Sequence, residues 1–181
     1  VDLLSYVLEN KLLSKFDMSF NSHFWNRAGQ SLHLDLKSES SYTSTKLNLP
    51  LYYNSYIDIV TMSDSHSTED SPRVYIDEKL YKSFACMKPF LIVGQYKTLK
   101  TLKRLGFKTF SDWIDESYDD EIEYDVRMSK IHNEIKRISQ FSIKEMDELY
   151  FKMKTTLLHN SSQLGIHIHH TDKKILEVFN G

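Results

Sequence analysis

Cysteine, glycine and proline are all scarce in this chain: 181 residues include 1 Cys, 5 Gly and 3 Pro. The lone Cys86 excludes an internal disulfide framework and a Cys-based zinc finger, and points to a cytoplasmic setting. Few glycines and prolines argue against a turn-rich all-β chain and in favour of helices. No apolar run approaches the roughly 18 residues of a membrane span. The formal net charge is -2, so no general attraction to nucleic acid or to an anionic lipid surface is expected. Three chemical signatures are missing as well: a Walker A loop, a G-x-G-x-x-G turn and a G-x-S-x-G elbow.

What is present is an ordinary globular mixture, 40% hydrophobic and 27% charged, with 11 Tyr and 10 Phe. A chain of this length buries enough surface to fold without staples. It opens VDLLSYVLENKLL, whose acidic residues are wrong for a signal peptide. Val1 leads straight into a helical pattern, which points to an N-terminus that is incomplete or does not start at Met.

Leu3, Leu4, Val7, Leu8 and Leu12 predict an amphipathic helix over 2–14, and 15–50 show no clean period. Tyr56, Ile57, Ile59, Val60 and Met62 read as a buried strand. The segment 63–73 has no apolar residue apart from the ring of Pro72 and reads as a solvent-facing loop. Ile76, Leu80, Phe84 and Met87 recur at 4, 4 and 3, the period of a helix over 75–87, with Asp77 and Glu78 in its first turn. Pro89 ends it, and 89–94 is a wholly apolar run, the mark of a parallel strand covered on both faces. Strand, loop, helix and strand make a βαβ unit. A short helix over 97–105 follows, and FKTF (107–110) reads as a third strand.

The last 70 residues read as helical. Tyr124, Met128, Ile131, Ile135 and Ile138 mark one helix. Ile143, Met146, Tyr150, Met153 and Leu157 mark a second, with Ser142 as N-cap and Glu145 completing a capping box. Joined by a short SQFS turn, the two predict a helical hairpin packed on the sheet or on itself, with a shorter helix over 171–179 closing the chain. The expectation is an α/β fold: a small open parallel sheet of Rossmann-like type with a C-terminal helical hairpin packed on it. Its parts are an N-terminal helix and irregular segment (1–50), a βαβ core (51–121) and a helical extension (122–181), compact as one domain.

The carboxyl ends of parallel strands, where the next helix begins, are where open α/β sheets bind ligands. That rule selects Ser63 to Lys79. The helix start offers free N–H groups to a phosphate, Arg73 and Lys79 offer cations, and Glu78 can accept from a ribose diol. The segment YIDEKLYKSFACMKPFLIVG resembles the donor-binding segment of two-domain glycosyltransferases, especially the α-1,3-fucosyltransferase family, where a Glu-Lys pair opens a helix between two buried strands. The resemblance implies Glu78 as ribose ligand, Lys79 as diphosphate ligand and Tyr75 as a pocket neighbour, with a nucleotide diphosphate-sugar as the ligand. Asp77 stands where that family has Thr, adding negative charge near the phosphates. GFKTFSDWIDESYDD also resembles a segment of uncharacterised phage and marine-bacterial proteins. In such two-domain enzymes the catalytic base belongs to the N-terminal half, so the resemblance implies a donor half and assigns no base here.

Other constellations are weighed beside this one. Asp115, Glu116, Asp119, Asp120, Glu121 and Glu123 form an acidic run able to hold Mg²⁺ or Mn²⁺, or simply a solvated turn feeding the next helix. Trp113 and Tyr118 are placed to fold it back on the body. In GIHIHHTD, an extended backbone would put His167 and His169 on one face with Asp172 near, a transition-metal set, whereas the bland reading is a polar loop. Cys86 reads as a buried, inert thiol. The Met and Tyr residues on the hairpin seams favour the alternative function, a non-catalytic module that self-associates into a homodimer.

Overall fold

A computed structural model describes residues 3–15, 47, 49–62 and 74–180. The segment 63–73, with Arg73 in it, therefore lies outside the described residues. The order of elements is α1 (Leu3–Glu9), α2 (Leu49–Tyr53), β1 (Asp58–Thr61), α3 (Glu78–Ala85), β2 (Phe90–Val93), α4 (Thr98–Arg104), α5 (Tyr124–Ser139) and α6 (Ile143–Asn180), with 3₁₀ turns at Leu13–Lys15 and Ser117–Asp120.

The two apolar runs pair as parallel strands, in the register Asp58↔Phe90 through Thr61↔Val93. Two further bonds extend the ladder, Asp58 N–H to Pro89 O and Met62 N–H to Val93 O, each 2.9 Å. All four residues of β2 are buried, as a strand covered on both faces requires.

The connection between them is α3, which starts one turn later than the period alone predicts, because Asp77 is its N-cap rather than a first-turn residue. Its end is a Schellman motif: Met87 N–H donates to Phe84 O, and Lys88 N–H to Ser83 O at 2.8 Å. Met87 holds the left-handed conformation usual for glycine there (φ 50°). Pro89 follows and rules out helical continuation.

The core is built from aromatic rings around this unit. Phe84 of α3 stacks on Phe107 at 4.3 Å. Phe90 of β2 meets Phe84 and Phe110 edge-on at 5.5 and 4.9 Å. Leu80, Leu99, Leu102, Ile131 and Met153 fill the remainder and are at most 1% exposed. Rings buried to this degree contribute about 1.5–3 kcal/mol each.

Two expectations are corrected. FKTF is not a strand, and the sheet among the described residues has two strands. Phe107 and Phe110 are buried as the pattern requires, but the backbone between them finds side-chain partners instead of a ladder. Lys108 N–H donates to Asn160 Oδ1 at 2.8 Å, and Lys108 O accepts from Asn160 Nδ2 at 2.9 Å. Phe110 N–H donates to Glu116 Oε1 at 2.6 Å.

Second, the helix predicted to stop near residue 158 runs unbroken to Asn180. A mid-helix glycine costs only about 1 kcal/mol, so Gly165 does not end it. The GIHIHHTD segment is therefore neither extended nor a loop. Of the two placements expected for the C-terminal helices, on the sheet or on one another, the first holds for α5. α5 packs on β2 and the 117–120 turn, and α6 packs on α3. The capping box at the start of α6 is present as expected: Ser142 N–H and Oγ donate to Glu145 Oε2 at 2.8 and 2.7 Å, and Glu145 N–H donates to Ser142 Oγ at 3.3 Å.

Candidate functional site at the carboxyl edge of the sheet

Met62 leaves β1 and Gly94 leaves β2 at the same edge, because the strands are parallel and in register. The backbone before α3 is tied to this edge through Gln95, whose buried side chain accepts from Tyr75 N–H at 2.8 Å. Thr98 Oγ1 in turn donates to Gln95 O at 2.6 Å. The start of α3 and the 94–97 turn are thus one assembly.

Three of the four residues selected from the sequence lie in the described part of this assembly. Tyr75 is 63% exposed, and Glu78 and Lys79 are exposed in the first turn of α3. Asp77 decides the electrostatics of the tip. Its Oδ1 accepts from Lys79 N–H at 3.1 Å, and its Oδ2 pairs with Lys79 Nζ at 3.3 Å. One carboxylate thus holds the backbone donor and the side-chain cation that an incoming phosphate would use. Farther along the helix, burial and the charge of Asp77 push the Tyr81 hydroxyl pKa up, and Tyr81 Oη lies 3.1 Å from His167 Nε2.

Reading the sequence missed the other half of this edge. Gln95, Tyr96 and Lys97 occupy the turn that leaves β2. Lys97 has φ 64°, sits over the Tyr96 ring at 4.8 Å and pairs with Asp120. The rule that selected the loop before α3 applies equally to the turn after β2 and was the signal available for finding them.

The acidic run is engaged by the fold. Asp119 caps α4 from outside that helix, accepting from Leu99 N–H at 2.8 Å and Lys100 N–H at 3.0 Å. Glu116 holds Phe110 N–H and Thr109 Oγ1, and Asp115 accepts from Ser117 N–H at 2.9 Å. Burial pushes the Asp119 and Glu116 carboxyls up, whereas the bonds from Ser117 hold the Asp115 carboxyl down. Asp120 pairs with Lys97 and Glu121 with Lys130. Tyr118 anchors the run to the body, 3% exposed, with its hydroxyl accepting from Ile92 N–H at 3.3 Å.

The helical backbone separates the histidines. Residues two apart on a helix point about 200° apart. His167 packs on Tyr81 and Phe107, and His169 is exposed. Among the described residues, no three His, Cys, Asp or Glu side chains gather as a metal-binding group.

At the opposite, amino-terminal edge lies a second polar cluster. The fully buried Ser83 donates to Asp58 Oδ2 at 2.5 Å, and Lys88 Nζ donates to Ser55 O at 2.5 Å. Burial pushes the Asp58 carboxyl and the Cys86 thiol up and the Lys88 ammonium down. Cys86 is half-buried rather than buried as expected, and a thiol whose pKa is raised is a poor nucleophile.

What the fold defines is a mixed helix–strand chain organised on one parallel strand pair. Comparison with protein-family profiles, curated proteins and solved structures finds no match to it. No helix among the described residues is long and apolar enough to cross a membrane.

Proposed function

We propose that this chain is the donor-binding half of a glycosyltransferase-like protein, holding the diphosphate of a nucleotide sugar at the carboxyl edge of β1 and β2. The observation that carries the reading is the position of Glu78 and Lys79, exposed together in the first turn of the helix that connects two parallel strands. In this reading the βαβ unit is of Rossmann type and the protein is cytoplasmic. Lys79 contributes its ammonium and its N–H to the diphosphate, Glu78 accepts from the ribose hydroxyls, and Tyr75 walls the nucleoside. Arg73, just upstream, supplies a second cation. The diphosphate displaces Asp77 from Lys79, exchanging one carboxylate for a group of higher charge. A Mg²⁺ or Mn²⁺ ion would enter with the diphosphate as a shield for its charge. The acceptor site and the catalytic base belong to a longer chain.

The test is thermal unfolding with a panel of nucleoside diphosphates, guanosine and uridine diphosphate first. A ligand at about 100 times its Kd stabilises by about 2.7 kcal/mol. For a chain of this size that corresponds to a shift of roughly 5–10 °C. Lys79→Ala, at an exposed position, is expected to fold normally and to lose the shift. An unchanged midpoint with every diphosphate, or an equal shift in Lys79→Ala, overturns the reading.

A further inference from the structure

The outward face of α4 carries charge of one sign only. Its exposed residues are Lys100, Lys103 and Arg104, while Thr101 is half-buried and Thr98, Leu99 and Leu102 are buried. Lys97 precedes the helix and Lys108 follows it, so the segment 97–108 holds five cations and no carboxylate. The chain as a whole has a formal net charge of -2, which leaves -7 on everything outside this segment. The net value therefore conceals a local basic strip.

The stability of α4 does not account for the strip. Lys103 and Arg104 in the last turn complement the helix dipole, whereas Lys97 and Lys100 stand at the start, where a cation is unfavourable. Internal pairing uses only part of the charge. Lys97 pairs with Asp120, and Lys103 with Glu116 at 3.5 Å, but Lys100 and Arg104 form no ion pair among the described residues. One helical turn apart, these two stand side by side and repel, and an anion between them removes the repulsion.

We infer that the α4 strip is a docking surface for a single-stranded nucleic acid, with phosphates on the cations and a base on the ring of Tyr75. Two observations select this partner among polyanions. The face of α4 exposes no apolar side chain, so it lacks the apolar centre around which a protein interface is built. Instead, an accessible ring is tied to the start of the strip. Tyr75 is 63% exposed, and its N–H donates to the side chain of Gln95, whose carbonyl accepts from Thr98 at the beginning of α4. A row of cations beside an open aromatic ring suits a flexible strand whose bases are free to stack. A duplex keeps its bases stacked on one another, and an anionic bilayer has none to offer. The inference does not rest on the donor reading, although both use Tyr75.

The test is fluorescence anisotropy with a labelled single-stranded deoxythymidylate oligonucleotide at about 50 mM salt. The expected result is saturable binding whose log K falls with log salt at a slope of about -2, as three phosphate contacts require. The double variant Lys100→Glu, Arg104→Glu changes two exposed side chains. It should keep the wild-type circular dichroism spectrum and lose about tenfold or more in affinity, with a shallower salt slope. Tyr75→Ala should lose about tenfold with the slope unchanged. Lys79→Ala, which removes the diphosphate shift in the donor reading, should bind the strand nearly as the wild type does, so the two readings fail separately. No binding at about 100 µM protein, or full binding by the double variant, overturns the proposal. So does an unchanged affinity in Tyr75→Ala, because plain charge attraction needs no ring, and so does a loss confined to Lys79→Ala, which would place the strand on α3. Equal affinity for a matched duplex, for polyglutamate or for vesicles of phosphatidylcholine and phosphatidylserine rules out the assigned partner.

Discussion

The side-chain amide of Asn160 forms both hydrogen bonds that a neighbouring strand would form with Lys108, accepting from its N–H at 2.8 Å and donating to its carbonyl at 2.9 Å. Asn160 is 2% exposed and sits on α6, so the helix supplies a one-residue substitute for a third strand.

Asn160→Ala leaves both backbone groups of Lys108 without these partners. An unsatisfied group of this kind costs about 1–3 kcal/mol. Denaturant unfolding is expected to show a loss of about 2 kcal/mol. Asn160→Asp sets a buried carboxylate oxygen against the Lys108 carbonyl, so at neutral pH it should lose at least as much stability as Asn160→Ala.

Gly106 ends α4 with φ 87°, and a β-carbon there would stand 2.6 Å from Gln163 Nε2. Gln163 donates to Leu105 O at 2.9 Å, so it cannot withdraw without releasing that carbonyl. A left-handed non-glycine residue costs roughly 1–2 kcal/mol before any clash. Gly106→Ala should therefore lower the urea midpoint by at least that equivalent, and an unchanged midpoint would contradict the geometry.

Asp58 gives stability a pH dependence of definite sign. Burial holds its folded pKa above the ordinary carboxyl value, despite the bond from Ser83 and the nearby Lys88 and Lys82. In the interval between the unfolded and folded values, the native state binds the proton and the unfolded chain has released it. The contribution is therefore fully present below the unfolded value and is lost as pH rises through the folded one. Asp58→Asn removes this titration while keeping an acceptor for Ser83. Comparing melting temperatures at about pH 7 and about pH 4.5, the wild type should gain on the variant as pH falls. A wild type that loses ground instead would refute the assignment.

Asp77 competes with any anion for Lys79. Asparagine is as good an N-cap as aspartate, so Asp77→Asn should leave stability nearly unchanged. It removes one negative charge beside the proposed phosphate site, an exposed interaction of about 0.5–1 kcal/mol. Calorimetry is expected to show a diphosphate binding about three- to fivefold tighter to the variant. Equal or weaker binding would place the phosphate away from Lys79.

Much of this architecture was legible in the amino-acid order, because it rests on local signals. Ser142 and Glu145 sit three apart and close a capping box on themselves. The run at 89–94 is apolar enough to lie covered on both faces, the run at 56–62 pairs with it while Ile59 stays half-buried and Thr61 exposed, and the 4, 4, 3 recurrence between them specifies α3 whatever it packs against. Tertiary structure decided the questions whose answers depend on distant partners. FKTF has a strand's composition, but Asn160, 52 residues away, takes its hydrogen bonds. Asp119 and Glu116 have a metal ligand's chemistry, but the start of α4 and the Phe110 amide occupy their oxygens. Gly165 permits either a break or a continuous helix, and α6 continues past it. Periodicity and capping are fixed by neighbours a few residues apart, whereas the choice among competing hydrogen-bond partners is made only when the whole chain has packed.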